Sequence, residues 1–189
     1  MPLRVAYANL RVAHQSSPRN YWTKESIKPP MRSHEEVKEW FDNVIMIDWT
    51  CSPWCAQLKH QLQTIRPICS NVIAFGLGGF SRSWDGLNRD GCAMQRALLL
   101  TVWAVIRQGS KTAPCYAQDP VYSPVEKWVL NTHRILAVDD PQGFLDLDDD
   151  SAIVAINAGV CVKQIVTDLT KPALMLWDQV GDDVANDPR

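Results

Sequence analysis

Directly after four apolar residues, the run VIAFGLGGFS at 72–81 places Gly76, Gly78 and Gly79 in a tight cluster. Gly76 suits a sharp turn, and Gly78 lets backbone N–H groups approach an anionic or ribose-bearing ligand with no side chain in the way. A dinucleotide fingerprint would continue as G-x-G-x-x-G, whereas here Phe80 and Ser81 follow. The turn is thus a candidate ligand contact without being an NAD signature. Asp119 ends a second apolar run, later than the ribose-binding acid of an NAD site, and an acid there can accept hydrogen bonds from a sugar or act as general base. The alternative for Asp119 is an Asx turn onto the backbone beyond Pro120. Tyr122 either lines the same crevice or covers the core. Gln95, near a helix start beside Arg96, either holds a phosphate or ribose or faces solvent. Asn157, at the edge of a later strand, reads as a polar ligand contact or a helix cap. Asp119 and Tyr122 are therefore the catalytic candidates, and Gly76, Gly78, Phe80, Ser81, Gln95, Asp119 and Asn157 the candidates for cofactor binding.

Other chemistries have weaker footing. The six cysteines, at 51, 55, 69, 92, 115 and 161, form no C-x-x-C pair, and the four histidines, at 14, 34, 60 and 133, have no metal-ligand spacing. No metal is expected. A Cys51 or Cys55 thiolate would gain from the helix start between them but has no base nearby in sequence. Lys plus Arg number 19 against 21 Asp plus Glu, a formal net charge of -2 with no long block of either sign. Nucleic acid and membrane surfaces are not expected partners. No apolar run approaches the ~18 residues of a membrane span. Without a secretory signal, cytoplasm or nucleus is the expected location. Residues 1–24 carry Arg4, Arg11, Arg19 and Lys24 but no acid, which leaves mitochondrial import as an alternative.

These residues need a scaffold. The first 32 residues, punctuated by proline and small polar residues, read as a mobile arm, 33–180 as a single domain and 181–189 as a flexible tail. Ser33 with Glu36 forms a capping box, followed by Val37, Trp40, Phe41, Val44 and Ile45 at helical spacing. Ser52 and Pro53 start a second helix that Pro67 stops. From there short apolar runs alternate with helices. Strands are expected at 71–76, 113–119, 134–140, 151–159 and 173–177, with helices at 92–109, after Ser123, and at 162–169. The polar stretch 81–91 reads as a lid or as a plain surface excursion, and the acidic loop around Asp146, Asp148, Asp149 and Asp150 as solvated. Two helices followed by five strands interleaved with helices predict an α/β, three-layer Rossmann-like sandwich with a mostly parallel sheet.

VIAFGLGGFS, the helix opened by Gln95 in QRALLL, and AQDPVYSPVEKWVL resemble the family called sensitivity to red light reduced, the SRR-like domains. Their members carry a GLGSF-type turn, a Q-L-A-L-L-type helix and a Y-D-P-V-F-type strand end. The similarity runs from Val72 to Leu130 and more loosely to Trp177, matching at Gly76, Gly78, Phe80, Ser81, Gln95, Asp119, Pro120 and Tyr122. Where the family has an M-P-H-C-type motif after its fourth strand, this chain reads INAGVCVKQIV, with Cys161 on the cysteine and Val160 in place of the histidine. The resemblance implies a Rossmann-like domain in eukaryotic proteins tied to light signalling, clock function and haem metabolism. The glycine turn together with the acid that ends the second strand points to a small-molecule ligand, nucleotide-like or polar-aromatic, with S-adenosylmethionine-type group transfer as one outcome and the cofactor open. The alternatives are a regulatory module whose helices around Trp40 and Trp54 meet a protein partner, or a haem-binding protein.

Overall fold

The computed structural model describes residues 32–81, 86–156 and 158–177. The expected arm to Met31, the tail from Asp178 onward, Arg82, Trp84 and Asp85 of the polar stretch, and Asn157 lie outside the described residues.

Five parallel strands form the sheet of the described residues: β1 (Asn71–Phe75), β2 (Cys115–Gln118), β3 (Ile135–Val138), β4 (Ser151–Ala155) and β5 (Leu174–Trp177), in the spatial order β3-β2-β1-β4-β5. This is the expected α/β, Rossmann-like architecture. The chain leaves β1 toward β2 on one side and returns to β4 on the other, so strand order reverses between β1 and β4, where doubly wound sheets hold their ligands. All five residues of β1 and of β4 are buried, which is why both read as unbroken apolar runs rather than alternating ones.

Alternate residues of β1 feed two cores. Val72 and Ala74 pack with Leu99, Val102, Trp103 and Ile106 of the long helix α4 (Gly86–Gly109), together with Leu62 of α3 (Pro53–Ile65) and Leu130 of α5 (Pro124–Thr132). Ile73 and Phe75 face Val162 and Val166 of α7 (Val162–Leu169) and Phe144 of the short α6 (Gln142–Leu145). Each such aliphatic side chain, fully buried, contributes roughly 1.5–3 kcal/mol.

The expected caps form. Ser33 and Glu36 close their reciprocal box at α1 (His34–Trp40), Ser52 caps α3 ahead of Pro53, and Ser123 with Glu126 caps α5. The first helix continues through a π-helical turn, Phe41–Ile45, into α2 (Met46–Thr50). The extra residue in that turn is consistent with Phe41 and Ile45 both being buried while Asp42 pairs with Lys38 and with His133 Nε2, the latter at 2.8 Å. Phe41, Ile45 and Trp49 pack on Ala93 and Ala97 of α4, adding a helical layer outside the sandwich.

Two expectations are corrected. The helix expected at 92–109 begins at Gly86, so the second half of the polar stretch is the start of that helix rather than loop. The acidic loop is exposed but not merely solvated. Asp148 accepts from the Ser70 and Ser151 hydroxyls, and Asp149 from Thr170 Oγ1 and Lys171 N, so carboxylates tie the amino ends of β1, β4 and β5. The Thr170 hydrogen bond is the main reason the Asp149 carboxyl sits below its ordinary pKa.

Candidate functional site at the carboxyl edge of the sheet

The turn after β1 needs its glycines. Gly76 and Gly78 have φ of +66° and +71°, and a Cβ on them would lie 2.8 Å from Ala158 Cβ and 2.5 Å from Cys92 Sγ, respectively. Gly76 N donates to the carbonyl of Gln118 at 3.0 Å, which binds the start of the turn to the end of β2. One residue later in β2's exit stands Asp119. Its Oδ2 accepts from Gly78 N at 2.7 Å and its Oδ1 from Val121 N at 3.0 Å. The Asx turn expected as the alternative therefore forms, and the second oxygen reaches across to the glycine turn, so this carboxylate positions backbone at both ends.

Glu126 does the same from the other side. It is 1% exposed, and its Oε1 accepts from Phe80 N at 2.9 Å and from Ser81 N at 2.7 Å. Its Oε2 accepts from Ser123 N and the Ser123 hydroxyl. Burial alone would raise the Glu126 carboxyl, but the hydrogen bonds from Ser123, Ser81 and Phe80 outweigh it and hold the group below the usual glutamate range.

Arg96, beside Gln95 where solvent was one expectation, is also 1% exposed. Its guanidinium donates to the carbonyls of Cys92, Gly78 and Leu77 and lies 4.1 Å from the Phe80 ring centroid. Phe80 itself is fully buried with Val37, Val125 and Val129. Tyr122 is buried beneath the same guanidinium, and its hydroxyl meets the geometry of a hydrogen bond with no group among the described residues. Burial pushes the Tyr122 phenol up to about 12, against the opposing pull of Arg96. It stays protonated at neutral pH, a donor and not a base.

The structure thus brings Gly76, Gly78, Phe80, Ser81, Asp119 and Tyr122 together, in a region packed with side chains. Gln95 is half-buried, with no partner for its Oε1 among the described residues. Open space lies on the other side of β1. A cavity of about 330 Å³ sits beyond the ends of β4 and β5, at the start of α7, lined by residues including Ala155, Ala158, Cys161, Lys163, Gln164 and Trp177. Lys163 Nζ stands 5.4 Å from the Trp177 ring centroid. Cys161 is exposed, at the N-cap of α7 with no side-chain cap bond. Cys55, Cys69 and Cys115 are buried, and burial pushes the Cys69 and Cys115 thiols up. No group of His, Cys, Asp or Glu among the described residues could hold a metal ion, and no helix among them is long and apolar enough to cross a membrane.

Four residues of this edge went unassigned in the sequence: Arg96, Glu126, Lys163 and Trp177. Glu126 was legible only as a local cap, since its other partners lie 45 and 46 residues away. Arg96 did carry a signal. It falls at helical spacing with Cys92, Leu99 and Trp103, so a cation was placed on the face that packs against the sheet.

Comparison with curated proteins and with solved structures finds no match. Residues 55–187 match the SRR1 domain, a span that starts in α3 and takes in the glycine turn, every strand of the sheet and the cavity at α7. The match covers most of the chain, and with the turn and strand ends now in place the protein belongs to the SRR1 domain family.

Proposed function

We propose that this SRR1 domain binds a small nucleoside-like or polar-aromatic metabolite in the cavity at the carboxyl edge of its sheet. The observation that carries the proposal is the cavity itself, about 330 Å³, next to the point where strand order reverses. Its volume falls at the lower end of the range for small-molecule sites, which suits a nucleoside better than a dinucleotide. Trp177 supplies an aromatic face, Lys163 a cation and Gln164 an amide, while Ala155 and Ala158 leave room. Binding, not group transfer, is the reading favoured. Asp119 has both oxygens engaged by backbone N–H groups, and Tyr122 is a buried phenol that stays protonated.

Thermal-shift titration with adenosine, S-adenosylmethionine, S-adenosylhomocysteine and NAD tests the proposal. A true site at about 100-fold ligand excess over Kd raises stability by about 2.7 kcal/mol. Absence of stabilisation by every member of the set counts against it. A second reading, a protein-interaction module, draws on Trp54, which is 70% exposed at the start of α3, and on exposed Val44 and Ile47 in the helical layer before it. Trp40, the other expected contact, is half-buried against the Phe80 ring instead. Trp54→Ala leaving the oligomeric state and partner binding of the full chain unchanged would remove that reading's main support.

A further inference from the structure

A phosphate cradle requires consecutive backbone N–H groups that are free and converge on one point. The turn after β1 has the glycines for such a cradle, but its amides are already in use. Gly76 N donates to Gln118 O, Gly78 N to Asp119, and Phe80 N and Ser81 N to Glu126. Among the described residues only the Leu77 and Gly79 amides of the turn are left, and they are not adjacent in the chain. The carbonyls of the turn are engaged as well, those of Leu77 and Gly78 by Arg96. Ala158 and Cys92 close over the two positive-φ glycines. Among the described residues, the charged groups bonded to the turn are two carboxylates and one guanidinium.

We infer that Asp119 and Glu126 occupy the anion positions of this turn permanently, so that the ligand of the domain presents no phosphate to it. The ligand class is then narrowed to compounds whose anionic groups lie away from this turn, toward Lys163 at the start of α7. This deepens the reading of the neighbouring cavity as a ligand site and rests on it for the ligand, though not for the state of the turn. A phosphate entering here would have to displace a carboxylate that holds two backbone N–H groups in the case of Asp119, and three in the case of Glu126. It would also meet the charge of the other carboxylate at short range.

The test is made on the full chain by amide NMR, with two titrations and one exchange measurement. Inorganic pyrophosphate, raised to about ten millimolar, is expected to leave the Gly78, Phe80 and Ser81 amides unmoved, and those amides should exchange at least about a hundredfold more slowly than the Gly79 amide. Adenosine and ADP are both expected to move the Lys163 and Gln164 amides of the cavity and to leave the Gly78, Phe80 and Ser81 amides unmoved. Pyrophosphate or ADP shifting the Gly78, Phe80 or Ser81 amides, or free exchange at Phe80 and Ser81, overturns the inference. If no nucleoside binds while pyrophosphate leaves the amides unmoved and protected, the cavity reading falls and the assignment of the turn stands.

Discussion

Two segments leave the sheet side by side, one after β1 and one after β4, and they are built on opposite plans. After β1, residues 76–81 are held by carboxylates and a guanidinium sent in from β2's exit, α4 and α5, with Phe80 and Leu77 fully buried. After β4, the chain passes exposed Gly159, Val160 and Cys161 into a helix whose N-cap makes no side-chain bond, and space opens under Trp177. A Cβ on Gly159 would meet nothing within 4 Å, against 2.5 Å to Cys92 Sγ for Gly78. The lesson is that a glycine-rich turn at a strand's carboxyl end does not by itself mark a ligand contact. The glycines here admit the protein's own polar groups at close range, and the vacant volume lies one strand over.

The strongest way to break this contrast is Glu126→Ala. It strands the Phe80, Ser81 and Ser123 N–H groups in a buried site, so urea unfolding should show a loss on the order of 3 to 5 kcal/mol. A loss under about 1 kcal/mol would mean the turn is not held as described. Next comes a matched glycine pair. Gly78→Ala, strained at positive φ and crowded by Cys92, should cost about 2 kcal/mol or more, whereas Gly159→Ala should stay within about 0.5 kcal/mol. Equal effects at the two positions would erase the difference between the segments.

Acid sharpens the comparison with a smaller effect. Because the folded-state pKa of Glu126 lies below its ordinary value of 4.5, its contribution is complete above that value and is lost as pH falls through the folded one. As pH falls below 4.5, stability of the native protein should therefore drop more steeply than that of Glu126→Gln, which has no carboxyl to protonate there. Parallel acid limbs in the two proteins would show that Glu126 is not the titrating clamp. The mildest probe is thiol labelling of the open segment. Cys161 and Cys51, both exposed, should react with iodoacetamide while Cys55, Cys69 and Cys115 resist. A bound ligand should slow Cys161 several-fold and leave Cys51 unchanged, and equal slowing of both would place the ligand elsewhere.

Much of the architecture was readable because its signals are local. Ser33 with Glu36, Ser52 with Pro53, and Ser123 with Glu126 announce helix starts within four residues, and the apolar runs around Ile73 and Ile153 announce buried strands. The start of α4 at Gly86 is hidden in the sequence because its first six residues are mostly polar and include two glycines, residues that disfavour helix on their own. The ties made by the acidic loop were missed because Asp148 reaches Ser70 across 78 positions of sequence.

The same division runs through the candidate site. Residue order alone determined that Gly76, Gly78 and Asp119 would arrive at the carboxyl edge, because strand length and turn chemistry are short-range properties of the chain. Whether that edge is open could be decided only by packing. The carboxylates that take up the N–H groups of the turn come from 41 to 46 residues away, and the guanidinium comes from a helix face that must first dock on the sheet. Volume and hydrogen-bond saturation are sums over every neighbour at once, and no stretch of sequence contains all of its neighbours.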